Sequence, residues 1–299
     1  MRKIKIFDTT LRDGEQMVGV GMNIADKVRI AGVLAKLQVD FIEAGFPASS
    51  VNDCKAVERI SQLVTGSTVV ALARANREDI RIAAEALAKA ERKRIHVFIA
   101  TSDLHLEYKL RISRQECLER IRDSVAYACS LVDEVQFAAE DASRTDPEFL
   151  CLAYQTAVDA GACCINVPDT VGYSTPEEFG QLIAMLSHRI RREGKSVEIG
   201  VHCHNDLGLA VANTLSAIEN GATQADCTVN GIGERAGNTS LEELVMALKV
   251  RASVYGCETN IDTTMLSKAS KTVSEVSGIY VPLNKAVVGK NAFAHGSGI

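Results

Sequence analysis

Tryptophan is absent from this 299-residue chain, proline is scarce at five residues, and aromatic residues make up only 5% of it. No Pro/Ser-rich linker interrupts it. Beside 46% hydrophobic and 24% charged residues, that scarcity excludes a disordered, collagen-like or low-complexity chain. A basic excess is missing too: the formal charge is −5, so neither nucleic acid nor an anionic membrane is an expected partner. No apolar run reaches the roughly 18 residues of a membrane helix. The basic start MRKIKIFDTT meets Asp8 before a signal-like stretch can form, so the expectation is a cytoplasmic chain with no membrane partner. The nine cysteines form no Cys-x-x-Cys pair and are odd in number, which argues against a disulfide framework or a zinc ribbon. Cys151, Cys163, Cys164 and Cys227 sit in apolar segments and read as small buried hydrophobes of a reducing compartment.

What is present is a repeating cycle. Length alone allows two average domains or one large barrel, and a chain this long buries roughly 75% of its unfolded surface without staples. Short apolar runs predict strands at Ile4–Phe7, Asp40–Ala44, Thr68–Leu72, Ile95–Ile99, Glu134–Phe137, Cys163–Val167, Glu198–Val201 and Gln224–Thr228. Amphipathic stretches between them predict helices, among them Ala25–Leu37, with Val28, Ala31, Leu34 and Leu37 on one face, and Asn76–Ala90. The strands lack polar alternation, as parallel strands covered on both faces do, and their starts are spaced close to the roughly 30 residues of a βαβ unit. Eight such cycles fit a closed (β/α)₈ TIM barrel better than an open sheet. The last cycle ends near Leu241–Arg251. A further helix over about Thr263–Val276, capped by Asp262 and stopped by Gly278, precedes a Gly-rich extended arm.

The chemically distinctive residues fall where these strands end. Arg12-Asp13-Gly14-Glu15 follows the first, Glu43 closes the second, Glu140-Asp141 follows the fifth and Asp169-Thr170 the sixth; His202-Cys203-His204-Asn205-Asp206 ends the seventh, and Asn230–Asn238 follows the eighth. In a barrel all of these meet on the face that carries active sites. His202 and His204, two residues apart on a strand, point the same way. With Asp13 and Asn238 at the same rim they form an N₂O₂ donor set for Mn²⁺, Mg²⁺, Fe²⁺ or Zn²⁺, and Cys203 points away. Arg12 places a permanent cation beside this site, suited to stabilising an oxyanion and compatible with an ion pair to Glu43 or Glu140. Glu140 reads as an orienter of Arg12, a base or a solvated rim carboxylate.

Other signals carry less. Gly231–Gly237 has one residue too many for a dinucleotide fingerprint and follows the last strand, so its glycines read as a tight loop around a ligand. Lys89–Arg94 reads as a solvated helix end. His96, His105, His188 and His295, each without a visible partner, read as structural or exposed.

FDTTLRDGEQ at 7–16, HCHNDLGLAVAN at 202–213 and NGIGERAGN at 230–238 together resemble the 2-isopropylmalate synthase family of metal-dependent Claisen-condensing barrels. EAGFPASS at 43–50, RIHVFIATSDLHLEYKL at 94–110 and NKAVVGKNAFAHGSGI at 284–299 extend the match over nearly the whole chain. The resemblance implies that Asp13, His202, His204 and Asn238 hold a divalent metal, Mn²⁺ foremost and Mg²⁺ or Zn²⁺ as alternatives. It implies that Arg12 faces the keto oxygen with Glu140 supporting it, that Thr170 binds the 2-oxo acid carboxylate, and that His96, Asn166 and Glu43 line the substrate pocket. The implied reaction condenses acetyl-CoA with 3-methyl-2-oxobutanoate and hydrolyses the thioester to 2-isopropylmalate and CoA, a step of leucine biosynthesis carried out by a homodimer in the cytoplasm.

Two departures qualify the resemblance. Met17-Val18-Gly19-Val20-Gly21 stands where the family has a small residue and Pro-Gly, which leaves citramalate synthesis from pyruvate or homocitrate synthesis from 2-oxoglutarate as alternatives. The family also continues past Ser-Gly-Ile with a His-Gln-Asp stretch, whose His serves the partner subunit, and then a regulatory domain. The expectation is therefore a barrel over 1–255, a helix and arm over 256–299 that begins a linker subdomain, and a chain that binds metal and oxo acid with weak or no turnover.

Overall fold

The computed structural model describes residues 1–190 and 197–296. Eight parallel strands close into a barrel: β1 (Lys5–Asp8), β2 (Phe41–Gly45), β3 (Thr68–Arg74), β4 (Lys93–Ala100), β5 (Glu134–Glu140), β6 (Cys164–Asp169), β7 (Glu198–Cys203) and β8 (Gln224–Cys227). Neighbours in sequence are neighbours in the sheet, and Lys5 opposite Gln224 closes β8 onto β1. Around it lie α1 (Ile24–Leu37), α2 (Val51–Leu63), α3 (Arg77–Ala86), α4 (Arg114–Cys129), α5 (Pro147–Asp159), α6 (Pro176–Arg189), α7 (Ala210–Glu219) and α8 (Leu241–Val250). The chain is a TIM barrel, as its eight cycles predict. No described helix is long and apolar enough to cross a membrane.

The helices start where short polar side chains satisfy free N–H groups. Asn23 and Asp26 make a reciprocal capping box at α1, which turns Ile30, Ala31, Leu34 and Leu37 to the barrel. Ser50, Asn76, Ser113, Asp146 and Thr175 cap five others. α3 ends four residues before the predicted Ala90, because Leu87–Ala90 tightens into turns that bury Leu87 and Ala90. β4 starts at Lys93, so Lys93 and Arg94 are strand residues. Arg94, read from sequence as part of a solvated helix end, is only 1% exposed; inside the barrel it meets carboxylates and amides from other strands. Phe7, Phe41 and Val70 fill the interior beside it, with the Arg94 guanidinium 3.9 Å from the Phe41 ring centre. Cys151, Cys164 and Cys227 are buried and Cys163 is half-buried; His188 and His295 are exposed.

After α8 the chain pairs Cys257–Glu258 with Arg2–Lys3 outside the barrel. Asp262 then caps a short turn leading into α9 (Leu266–Ser277), stopped by Gly278 in the left-handed region at φ 73°. α9 is tied to α1 by the Arg29–Glu275 ion pair. The arm follows; its last three residues, 297–299, lie outside the described residues.

Candidate active site

The site begins with the turn after β1. Asp13 and Gly14 both donate backbone N–H to Thr9 O, which swings Arg12 and Asp13 over the barrel mouth. The Arg12 guanidinium is clamped by two buried carboxylates, Nε to Glu43 Oε2 at 2.7 Å and Nη1 to Asp13 Oδ2 at 2.7 Å. Glu43, fully buried at the end of β2, also accepts from the Thr9 hydroxyl and meets His96 Nδ1 at 2.7 Å. Burial pushes the Glu43 carboxyl up, but the Arg12 charge and then His96 outweigh it and hold the group well below the usual carboxylate range. The support of Arg12 thus falls to Glu43 rather than to Glu140.

On the opposite strands His202 and His204 bring their Nε2 atoms to 3.3 Å of each other, and Asp13 Oδ2 lies 3.6 Å from His202 Nε2. His204 lies one residue past β7 and stays extended because Asn238 bridges to it antiparallel. That bridge places Asn238, which donates Nδ2 to Asp13 Oδ1 at 2.8 Å. Gly233 is where the loop needs glycine: at φ 158°, a Cβ there would stand 2.2 Å from Asn238 Nδ2 and 2.8 Å from Asp13 Oδ1. The glycines of 231–237 therefore wrap the loop tightly over Asp13 and Asn238.

The protonation states of His204 and Asp13 suit cation binding. Burial, then the field of His202, lowers His204 to about 3, leaving a neutral ring with a free lone pair. For Asp13, burial is outweighed by Arg12 and the two histidines, which hold it ionised far below its ordinary range. His202 Nδ1 faces Asp226 Oδ2 at 3.4 Å; burial opposes charge on the ring, but the hydrogen bond to Asp226 and the fields of Asp13 and Asp226 raise its pKa. This Asp–His pairing fixes a metal-ligating ring's orientation in known sites. Ligand atoms of Asp13, His202 and His204 lie within 4.8 Å of one another, all three residues buried. Asn238 Oδ1 and His204 Nδ1 are buried without a hydrogen-bond partner, a costly condition for a closed structural cluster. The donor set and its unsatisfied oxygen fit a divalent metal.

Arg12, Asp13, His96, Glu140, Asn166, Thr170, His202 and His204 line a single cavity of about 520 Å³, with Glu43 and Asn238 directly behind it. Thr170 Oγ1 accepts from Asp141 N at 2.9 Å, which leaves its own proton to donate into the cavity. Asn166 donates to Asp226 at 2.9 Å. Glu140 pairs not with Arg12 but with Lys109, 2.5 Å away on a π-helical turn over His105–Leu110, and His105 Nδ1 is 3.5 Å from the same carboxylate.

Sequence reasoning missed Lys109, Asp226 and the apolar wall of Leu72, Ala138 and Pro168. The wall residues sit one or two positions inside the C-terminal ends of β3, β5 and β6, just before the positions the strand-end argument names, and carry no polar flag. Asp226 had a findable signal, as an acid inside the short strand Gln224–Cys227.

Comparison with known proteins gives the family. A family model described as HMGL-like matches residues 3–273. A 2-isopropylmalate synthase of Pyrococcus furiosus is 57% identical over 298 residues, covering 100% of this chain and 60% of that protein. A 2-isopropylmalate synthase 1 of Caldanaerobacter subterraneus subsp. tengcongensis is 54% identical over 299 residues, covering 100% and 75%. The chain thus spans about three fifths of the length of several of the curated relatives it matches. Among solved structures, a hydroxymethylglutaryl-CoA lyase from Pseudomonas aeruginosa superposes with a TM-score of 0.79 at 23% identity, over 94% of this chain and 95% of that one, a likeness of fold. The chain belongs to the HMGL-like family and, within it, groups with the barrel portion of the 2-isopropylmalate synthases.

Proposed function

We propose that this chain is the catalytic barrel of a 2-isopropylmalate synthase, condensing acetyl-CoA with 3-methyl-2-oxobutanoate and hydrolysing the thioester to 2-isopropylmalate and CoA. The observation that carries the reading is the convergence of Asp13, His202, His204 and Asn238 beside Arg12 and Thr170 in one cavity, in a chain about 55% identical to proteins of that name. Asp13, His202, His204 and Asn238 would hold a divalent metal, Mn²⁺ first among Mn²⁺, Mg²⁺ and Zn²⁺. When bound, the metal supplies Lewis-acid polarisation of the ketone.

The chain's own residues do the rest. Thr170 donates its hydroxyl proton to the oxo acid carboxylate. Arg12, held rigid by Glu43 and Asp13, presents its guanidinium to the ketone oxygen, where negative charge gathers as the new C–C bond forms. Its clamp keeps reorganisation during the reaction small, which is where such electrostatic stabilisation gains its effect. Glu140, kept near Lys109, stands at the rim as a proton acceptor within reach of the cavity. His96 and Asn166, each fixed by a buried carboxylate, shape the pocket.

Leu72, Ala138 and Pro168 favour a branched apolar side chain over the second carboxylate of 2-oxoglutarate. Residues 1–255 form the barrel and 256–299 a helix and arm in this reading, which places the chain in a cytoplasmic homodimer. The test is thiol release from acetyl-CoA with Mn²⁺, paired with calorimetric binding of each 2-oxo acid. We expect 3-methyl-2-oxobutanoate to be preferred over pyruvate and 2-oxoglutarate in both. Preference for pyruvate would replace the reading with citramalate synthesis.

A further inference from the structure

Away from the cavity, a second buried acid lies under the arm. Glu242, in the first turn of α8, is 1% exposed. Its Oε2 accepts the Asn230 backbone N–H at 3.0 Å, while Oε1 has no hydrogen-bond partner. A buried carboxylate needs a countercharge. Among the described residues its one ion-pair partner is Lys285 of the arm, 3.5 Å from Oε1 and 17% exposed, which also bonds Ser240 Oγ at 3.2 Å and Glu243 Oε1 at 2.5 Å.

The arm is built to hold that lysine still. Gly289 donates to Lys285 O and Asn291 to Leu283 O, and a Cβ on Gly289 would lie 2.5 Å from Lys285 O, so the coil closes tightly around residue 285. On the other side of Glu242 the path to the cavity is short. Asn230 sits at φ 65°, its side chain exchanging hydrogen bonds with Ser270 of α9. The next carbonyl, Gly231 O, accepts from Asn238 N at 3.1 Å, and Asn238 Nδ2 holds Asp13. Farther along the same loop, Glu234 N donates to Asp13 Oδ1 at 3.2 Å.

We propose that Lys285 is a positioning residue: by neutralising buried Glu242 it pins the Asn230–Asn238 loop, and so couples the arm to the Asp13/Asn238 side of the candidate metal site. Burial, and less strongly the charges of Glu43 and Glu242, raise the neighbouring Asp8 carboxyl to about 7, which accords with a corner where negative charge is in excess. The proposal rests on the metal reading above, and its test separates the two.

Mn²⁺ binding is measured by titration calorimetry, and amide hydrogen exchange is followed over residues 229–239, in the chain and in variants. Lys285→Met is expected to weaken Mn²⁺ on the order of tenfold, at the lower end of what loss of a supporting partner costs a metal site, and to speed exchange at Asn230, Glu234 and Asn238. Lys285→Arg is expected to keep both near the unmutated values. Unchanged affinity and exchange in Lys285→Met, or equal losses in Lys285→Met and Lys285→Arg, would overturn the proposal. Should Lys285→Met not fold, Glu242→Gln and Glu242→Gln/Lys285→Met decide, since glutamine can still accept from Asn230 without needing a cation. Equal Mn²⁺ binding by these two supports the coupling, and a further loss on removing Lys285 contradicts it. If the unmutated chain takes up no Mn²⁺, the metal reading fails, and the exchange comparison alone then judges the pinning of the loop.

Discussion

At the bottom of the barrel Arg94 is enclosed by Glu134, Glu198, Gln136 and Gln224, and all of its nitrogens find acceptors. At the top Arg12 is enclosed in the same manner by Glu43 and Asp13, yet around it His96 Nε2, His204 Nδ1 and Asn238 Oδ1 are buried without partners. Both ends set an arginine against two carboxylates, so composition does not distinguish them. The difference lies in what is left over. The lower cluster is close to a closed account, with Gln136 Nε2 its one unsatisfied side-chain atom among the described residues. The upper one keeps unpartnered polar atoms beside a cavity that His96 and His204 line, the arrangement of a site that takes a ligand.

The comparison breaks first at Arg94. Arg94→Met takes the charged donor from the buried Gln136 and Gln224 amides and the cation from half-exposed Glu134, while Glu198 keeps Lys5, and we expect it to cost about 2–4 kcal/mol of stability in urea unfolding. Mn²⁺ affinity of the folded variant should stay unchanged. A cost below about 1 kcal/mol would mean that the lower cluster is not structural.

A smaller effect separates the two ends by pH. Asp8 lies at the end of β1, and burial, opposed by its hydrogen bonds from Thr10, raises its carboxyl to about 7 against 3.8 in the unfolded chain. Between those values only the folded state keeps the proton. Asp8 therefore contributes stability that is fully present below about pH 4 and is lost as pH rises through 7. Asp8→Asn removes that loss, and at about 1.4 kcal/mol per pH unit its advantage over the unmutated chain should grow by roughly 2–3 kcal/mol from pH 5 to pH 8. Asp13 and Glu43, lowered rather than raised, act in both proteins and cancel from the difference. The same difference at both pH values would remove Asp8 as the titrating group.

The barrel was legible because parallel strands buried on both faces are nearly uniform apolar runs, and helix caps such as Asn23 and Thr175 mark starts locally. Arg94 was not, because its burial depends on Glu134, Gln136, Glu198 and Gln224 arriving from three other strands. The polar site residues could be read from one rule, that they follow strand ends. That rule is silent on Leu72, Ala138 and Pro168, which carry no chemical flag, and on which carboxylate would hold Arg12. Glu43 rather than Glu140 does so because the turn after β1 carries Arg12 across to β2, while the π-helical turn brings Lys109 to Glu140. The Glu242–Lys285 contact joins residues 43 positions apart, and only the fold brings the arm back onto α8.

The central claim is that the top of the barrel is a metal site. Its most direct test is elemental analysis of the chain and of Asp13→Asn and His202→Ala after equilibration with Mn²⁺ and removal of excess ion. The account predicts about one ion per chain, lost from both variants while their folded state persists. Equal metal content in all three would contradict it.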